Sequence, residues 1–360
     1  MNKNNSGGNK TPPVRDDLRD LKPYEVPLLR TAVELDSNEN PWNLSADVVD
    51  AVQAEIDGIA FNRYPDIAAT RLRRSLADGN GVAPENIMVG NGSNEVILNL
   101  LLAFGGAGRQ AMLFEPTYSM HAVLTRIAAT ETVIAALNDE YDFDPAVQLP
   151  AIAAAQPAIV FLNSPNNPTG NLIPLKTIEA VCQAGDYLVV VDEAYGEFAG
   201  QTCLPLVTKY KNLAVVKTFS KAFRLAAARV GYVTADAGII STLDKVKLPY
   251  NLNALSMAAA AVVWDNRAVV LTAVKEIVTE RGRVFDALAA IPALTVFSTS
   301  ANFILFRTNG DADSIFARLM AAGIQIRNFN GKPRLDNCLR VTIGTPAENN
   351  AFLAAMREAV

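Results

Sequence analysis

A lysine set among small hydroxyl residues, with an arginine eight residues on, has few chemical uses. Thr218-Phe219-Ser220-Lys221, followed by Arg229, supplies an amine able to condense with an aldehyde and three groups able to converge on a phosphate. An aldehyde that carries a phosphate is pyridoxal 5'-phosphate, and Lys221 reads as its Schiff-base lysine. Upstream, Leu188-Val189-Val190-Val191-Asp192-Glu193-Ala194-Tyr195 places Asp192 just past the carboxyl end of a buried strand, where ligands sit in open α/β sheets. There Asp192 would pair with a protonated pyridine nitrogen and keep the ring an electron sink. Tyr195 would approach the ring's phenolic oxygen. A hydrophobic run ending in Asp-Glu also closes ordinary strands and binds magnesium in nucleotide hydrolases, so this segment alone leaves those readings open.

Companion segments narrow the choice. Asn163-Ser164-Pro165-Asn166-Asn167-Pro168-Thr169-Gly170 follows a strand, and its prolines and glycine make a stiff loop that would hold the Asn167 amide against the phenolic oxygen. Gly90-Asn91-Gly92-Ser93-Asn94-Glu95 precedes a helix, whose free amides, dipole and Ser93 hydroxyl suit one phosphate; a plain N-cap also accounts for Ser93. Glu95 stands where a dinucleotide fingerprint needs its third glycine. Tyr118, at another strand end, is placed to stack on a flat ring or simply to pack. His121 is a candidate hydrogen-bond partner for Asp192. Arg340, inside the apolar strand Leu339 to Ile343, calls for an anionic partner, and Arg327 in Ile324-Gln325-Ile326-Arg327 repeats the pattern or lies on a solvated edge.

The elements that must position these residues alternate. Ala111 to Phe114, Ala158 to Leu162, Leu188 to Val191 and Ala214 to Val216 read as buried strands, with helices near Asn94 to Phe104, Ser119 to Ala128, Leu175 to Ala184 and Ala237 to Val246. The pattern predicts an α/β fold with a mainly parallel sheet between helices. Residues 1–32, broken by Pro23 and Pro27, read as an arm, residues 33–251 as a large cofactor-binding domain, and residues 252–360 as a smaller α+β domain. In the last, a long helical tract runs to Ala290 with Gly282 as its only strong breaker, followed by a strand at Ala301 to Phe306, a helix at Asp313 to Ala322, and strands at Ile324 to Arg327 and Leu339 to Ile343.

Composition excludes several other chemistries. A formal net charge of −5 argues against a nucleic-acid partner. Cys182, Cys203 and Cys338 lack C-x-x-C spacing, and one histidine, His121, leaves little room for zinc or a Ser-His-Asp triad. The amino terminus shows no apolar core of a leader peptide, and the apolar stretch Ala254 to Trp264 is shorter than the ~20 residues that span a bilayer. These features lead to the expectation of a cytoplasmic enzyme of small molecules, with no metal.

Taken in order, Leu35-Asp36-Ser37-Asn38-Glu39-Asn40-Pro41, Arg63-Tyr64-Pro65-Asp66, Gly90 to Glu95, Ser164 to Gly170, Asp192 to Tyr195, Ser220 to Tyr232 and Cys338 to Thr345 resemble fold-type I pyridoxal-phosphate-dependent aminotransferases. The match is nearest the histidinol-phosphate aminotransferase family and covers nearly the whole chain; aromatic aminotransferases and threonine-phosphate decarboxylase look similar. The resemblance implies a seven-stranded, mainly parallel sheet. It makes Lys221, Asp192 and Tyr195 catalytic, and sets Gly92, Ser93, Asn94, Thr218, Ser220 and Arg229 around the phosphate, with Tyr118 and Asn167 at the ring. It also implies a homodimer with Tyr64 reaching in from a second subunit, and substrate contacts from Tyr24, Asn40, Arg327 and Arg340. The reaction would be ping-pong transfer from an amino donor to 2-oxoglutarate. Asn94, His121, Arg224 and Ala227 depart from the residues usual in that family, which leaves the donor less settled than the cofactor. No G-x-x-x-x-G-K-[ST] supports a nucleotide hydrolase, and a non-catalytic binding protein would have little need for Lys221, Asp192 and Asn167 together.

Overall fold

The computed structural model describes residues 12–23 and 31–360. A short strand, β1 (Val33–Glu34), precedes seven that form the large sheet: β2 (Ile87–Gly90), β3 (Gln110–Glu115), β4 (Glu131–Ala136), β5 (Ile159–Asn163), β6 (Leu188–Asp192), β7 (Leu213–Thr218) and β8 (Gly231–Ala235). Their order is β2-β8-β7-β6-β5-β3-β4, with β8 antiparallel to both neighbours and every other pair parallel. The expected mainly parallel α/β fold is therefore present. Strand periodicity explains how one run serves two cores: Val160 and Leu162 face one side with Ile178 and Val181, while Ile159 and Phe161 face the other with Ile97 and Leu101.

The predicted strands appear as β3, β5, β6 and β7, and Ala237–Val246 is a helix at the predicted bounds. β2, β4 and β8 did not stand out in the sequence. β2 has only four residues, and β8 is a run that also reads as the tail of the lysine segment.

The chain then builds β9 (Leu294–Val296), β10 (Phe303–Thr308), β11 (Ile324–Gln325), β12 (Arg327–Asn328) and β13 (Cys338–Thr342). Four of these form an antiparallel sheet, β12-β13-β10-β9, while β11 pairs with β1. The single strand expected at Ile324 to Arg327 is thus two, because the chain passes from one sheet to the other around the buried Ile326. The long helical tract also breaks elsewhere than expected. It divides into Ala254–Asp265, Arg267–Val270 and Thr272–Ala289, bending by 79°, and the Asn266 amide donates to Val262 O at 2.9 Å where the first helix ends. Gly282 stays inside the last helix: it is exposed, and a side chain there would meet nothing, so it costs only its propensity, about 1 kcal/mol. Among the described residues no single helix is long and apolar enough to cross a membrane.

We propose that the chain divides into a large unit up to residue 251 and a smaller one beyond it, stitched by two exchanges. Leu35 is buried in the second core with Phe303 and Val341, whereas Trp264 packs against Phe219 and Tyr232 of the first.

A buried ion cluster ties the ends of β6 and β7. Lys217 Nζ lies 3.1 Å from Glu193 Oε2 and 2.9 Å from Glu197 Oε1, all three side chains being largely buried. Glu193 also accepts from Thr202 Oγ1 and Cys203 N, each at 2.6 Å. The two carboxylates hold the Lys217 amine charged, well above the usual lysine range, against the desolvation that opposes it. Lys217→Met should therefore cost about 3–5 kcal/mol in denaturant unfolding, the scale for stranding a buried charge partner. A loss below about 1 kcal/mol would show that the cluster carries little stability.

Candidate active site

The carboxyl ends of β5, β6 and β7 deliver Asn163, Asp192 and Thr218 to one edge of the large sheet. A cavity of about 220 Å³ opens there, lined also by Ser93, Asn94, Tyr118, Asn167, Tyr195, Ser220, Lys221, Arg229, Arg327 and Arg340. Twelve of the residues singled out in the sequence thus meet in one place, from seven separate segments of the chain.

One end of the cavity is built for an anion. Helix Ser93–Phe104 starts at Gly92, whose φ of +82° suits glycine, and a Cβ there would lie 2.8 Å from Arg229 Nη2. Gly231 on β8 lets the sheet approach the same turn, since a Cβ would sit 2.3 Å from Ser93 N. Arg229 Nη1 donates to Ser220 Oγ at 3.2 Å, and Thr218 Oγ1 donates to Ser220 Oγ at 3.0 Å. Two hydroxyls, a guanidinium and a helix amino terminus therefore face the same space.

Asp192, 2% exposed, lines the same cavity. Its Oδ1 accepts from Ala194 N at 3.0 Å, and its Oδ2 lies 3.1 Å from His121 Nε2. The expected His121–Asp192 contact is present. His121 is fully buried between Phe161 (ring centroids 5.0 Å apart, stacked) and the edge of Tyr118 (5.4 Å), and its Nδ1 has no hydrogen-bond partner among the described residues. Tyr118 OH donates to Asn94 Oδ1 at 3.4 Å. Tyr195 OH accepts from Asn167 Nδ2 at 3.4 Å and from Asn38 Nδ2 at 2.9 Å.

Lys221 lines the cavity as well. Its Nζ donates to Ser37 O at 2.8 Å and sits 6.0 Å from the centre of the Tyr195 ring. Burial, reinforced by Arg340 and Arg229, pulls its pKa down to about 8. Two more arginines, whose Cα positions pair across β12 and β13, line the cavity. Arg340, 5% exposed, donates from Nη1 to Asn167 Oδ1 and from Nη2 to Asp36 O, both at 2.6 Å, and lies over the rings of Phe303 and Phe329. Arg327 has no hydrogen-bond or ion-pair partner among the described residues, so its charge faces the cavity unmatched.

Asn40 is not on the cavity wall, and Tyr64, expected to serve a second subunit's site, is not on this one. Asn40 caps Trp42 N at 3.1 Å, and Tyr64 is 80% exposed, stacked on Tyr250 at 4.5 Å. Tyr24 lies outside the described residues. Conversely, Asp36, Ser37, Asn38 and Phe329 line the cavity, and none of these four was assigned a role from the sequence.

The donor set fits pyridoxal 5'-phosphate. A side chain at Gly92 would crowd Arg229, Asp192 lines the same cavity with the unpartnered His121 nitrogen behind it, and an amine of lowered pKa is present.

Comparison with known proteins agrees with this chemistry. Residues 30–356 match the family profile of aminotransferase class I and II. The histidinol-phosphate aminotransferase of Thermobifida fusca is 41% identical over 96% of this chain and 94% of its own. Histidinol-phosphate aminotransferase 1 of Carboxydothermus hydrogenoformans is likewise 41% identical, over 97% and 99%. In three dimensions the chain resembles the histidinol-phosphate aminotransferase of Sinorhizobium meliloti in complex with pyridoxal-5'-phosphate, with a TM-score of 0.84 and 26% identity over 92% of this chain and 91% of that one. A profile match over almost the whole length, joined to a lysine, an aspartate and an arginine pair in one cleft, places this chain in the class I and II aminotransferase family, beside the histidinol-phosphate aminotransferases.

Proposed function

We propose that the chain transfers the amino group of L-histidinol phosphate to 2-oxoglutarate, giving imidazole acetol phosphate and L-glutamate, with pyridoxal 5'-phosphate bound at Lys221. The observation that carries this reading is that Lys221, Asp192, the group Ser93, Ser220 and Arg229, and the pair Arg327 and Arg340 all line one cavity. When bound, the cofactor supplies an aldehyde that condenses with amines and a ring that draws electrons from the substrate carbon.

The protein's part is to hold, orient and move protons. Ser93, Thr218, Ser220 and Arg229 anchor the phosphate, with Gly92 and Asn94 shaping the recess. Asp192, held by Ala194 N and His121, keeps a proton on the pyridine nitrogen. Tyr195 and Asn167 meet the phenolic oxygen, and Tyr118 covers one face of the ring. Once the substrate amine has displaced it, Lys221 Nζ would be the base that takes the proton from the substrate carbon bearing nitrogen and returns it to the carbon on the other side of that nitrogen. A pKa near 8 leaves about a tenth of that amine neutral at pH 7, where an ordinary lysine is neutral less than about one time in a thousand.

Both substrates carry anions, a phosphate on the donor and a carboxylate pair on the acceptor, and a guanidinium pair binds either. Arg327 is the more available of the two, because Arg340 already donates to Asn167 and Asp36. We assign the chain a homodimeric state on its exposed apolar face of Phe61, Tyr64, Ile67, Leu248 and Tyr250, with Tyr64 serving the second copy's site.

Lys221→Ala should abolish turnover of L-histidinol phosphate with 2-oxoglutarate while leaving the unfolding transition in place; full activity in that variant would overturn the mechanism. Arg327→Ala should raise KM for L-histidinol phosphate about ten- to a hundredfold, the loss of one charge-assisted contact, with a small change in kcat; an unchanged KM would assign the phosphate elsewhere. In the cofactor-free protein, Lys221 should react with an amine-directed reagent with a midpoint near pH 8, falling about tenfold per unit below it, whereas an ordinary lysine titrates near 10.4. A midpoint of 10 or above would contradict the lowered pKa.

A further inference from the structure

We propose that Asn38 is a positioning residue for the reaction, its side-chain amide fixing the direction in which the Tyr195 hydroxyl donates into the cavity. The inference rests on the role assigned above to Tyr195. Three consecutive residues cross the cavity beside Lys221, and each meets a different functional side chain. Asp36 O accepts from Arg340 Nη2 at 2.6 Å, Ser37 O accepts from Lys221 Nζ at 2.8 Å, and Asn38 Nδ2 donates to Tyr195 OH at 2.9 Å. Only Asn38 does so through its side chain.

The position is built for that contact. Asn38 is 1% exposed and has φ +54°, a left-handed conformation that asparagine tolerates better than most residues. Its backbone is fixed from the second sheet: Asn38 N donates to Thr342 Oγ1 at 2.9 Å, and Asn302 Nδ2 donates to Asn38 O at 3.1 Å. Thr342 Oγ1 donates to Asn38 Oδ1 at 3.1 Å, which settles the amide orientation and turns Nδ2 toward Tyr195. Asn167 reaches the same hydroxyl only at 3.4 Å, where a hydrogen bond is weak, and its Oδ1 is already engaged by Arg340. A phenol oxygen that accepts from a fixed N–H presents its own proton elsewhere, so the Asn38 contact sets the direction of the Tyr195 donor. Aspartate would keep the backbone and lose the donor, and glycine would keep φ and lose the whole amide.

The test is a double-mutant cycle of Asn38→Gly with Tyr195→Phe, with Asn38→Asp as a second variant. Pyridoxal phosphate affinity of the cofactor-free protein, the unfolding midpoint, and kcat and KM are measured for each. Asn38→Gly relieves the backbone conformation, so the expected result is a folded protein whose pyridoxal phosphate Kd rises several-fold and whose kcat/KM falls up to about tenfold, the scale of one net hydrogen bond. Asn38→Asp should do the same. In the Tyr195→Phe background, Asn38→Gly should change either quantity less than about twofold. Wild-type behaviour of Asn38→Gly, or an equal loss in both backgrounds, would overturn the proposal. If Tyr195→Phe alone has no effect, the role assigned to Tyr195 falls as well, whereas a large Tyr195→Phe effect with a silent Asn38→Gly removes only the present inference.

Discussion

An amine held in one cavity with three guanidiniums is the constraint on which the site depends. Lys221 shares its walls with Arg229 and Arg340, so its charged form is penalised by burial and by repulsion, and its pKa comes down to about 8. The same arginines cannot be removed from the site without removing its anion binding. Each group has its own partners: Arg229 donates to Ser220, Arg340 to Asn167 and Asp36, and the lysine Nζ to the carbonyl of Ser37.

Holding that arrangement takes elements far apart in the chain. Parallel strands bring Asn163, Asp192 and Thr218 to one sheet edge, but they cannot supply a facing wall. That wall comes from β12 and β13, and from residues 36–38, which run beside the lysine after β1 pairs with β11. Beneath the sheet edge, Lys217 binds a glutamate two residues before Tyr195 and another two residues after it, so a buried ion cluster pins the turn that presents the phenol. The two units are thereby joined through the site as well as through their cores.

Much of this was legible in the sequence, for identifiable reasons. Apolar runs of four to six residues ended by Asp192 or Asn163 announce buried strands, and a lysine among hydroxyls announces its chemistry locally. What failed was whatever depended on contacts distant in sequence. Asn38 and Asn40 lie in one motif, and nothing local tells which faces the cavity; the left-handed turn at Asn38 and its bonds to Thr342 and Asn302 decide it. Arg340 called for an anion by burial, and its strand could not show that Asn167, Asp36 and two aromatic faces also hold its guanidinium. Gly282 looked like a breaker and is a tolerated helical residue, because its exposed face asks nothing of its side chain.

The central claim is that Lys221 and its surroundings carry out an amino transfer whose donor is L-histidinol phosphate. The most direct measurement mixes the protein, loaded with pyridoxal phosphate, with L-histidinol phosphate and no keto acid, and counts the keto product formed per chain. The account predicts one equivalent followed by arrest, with turnover resuming when 2-oxoglutarate is added. Continuous release of carbon dioxide or no product at all would contradict it.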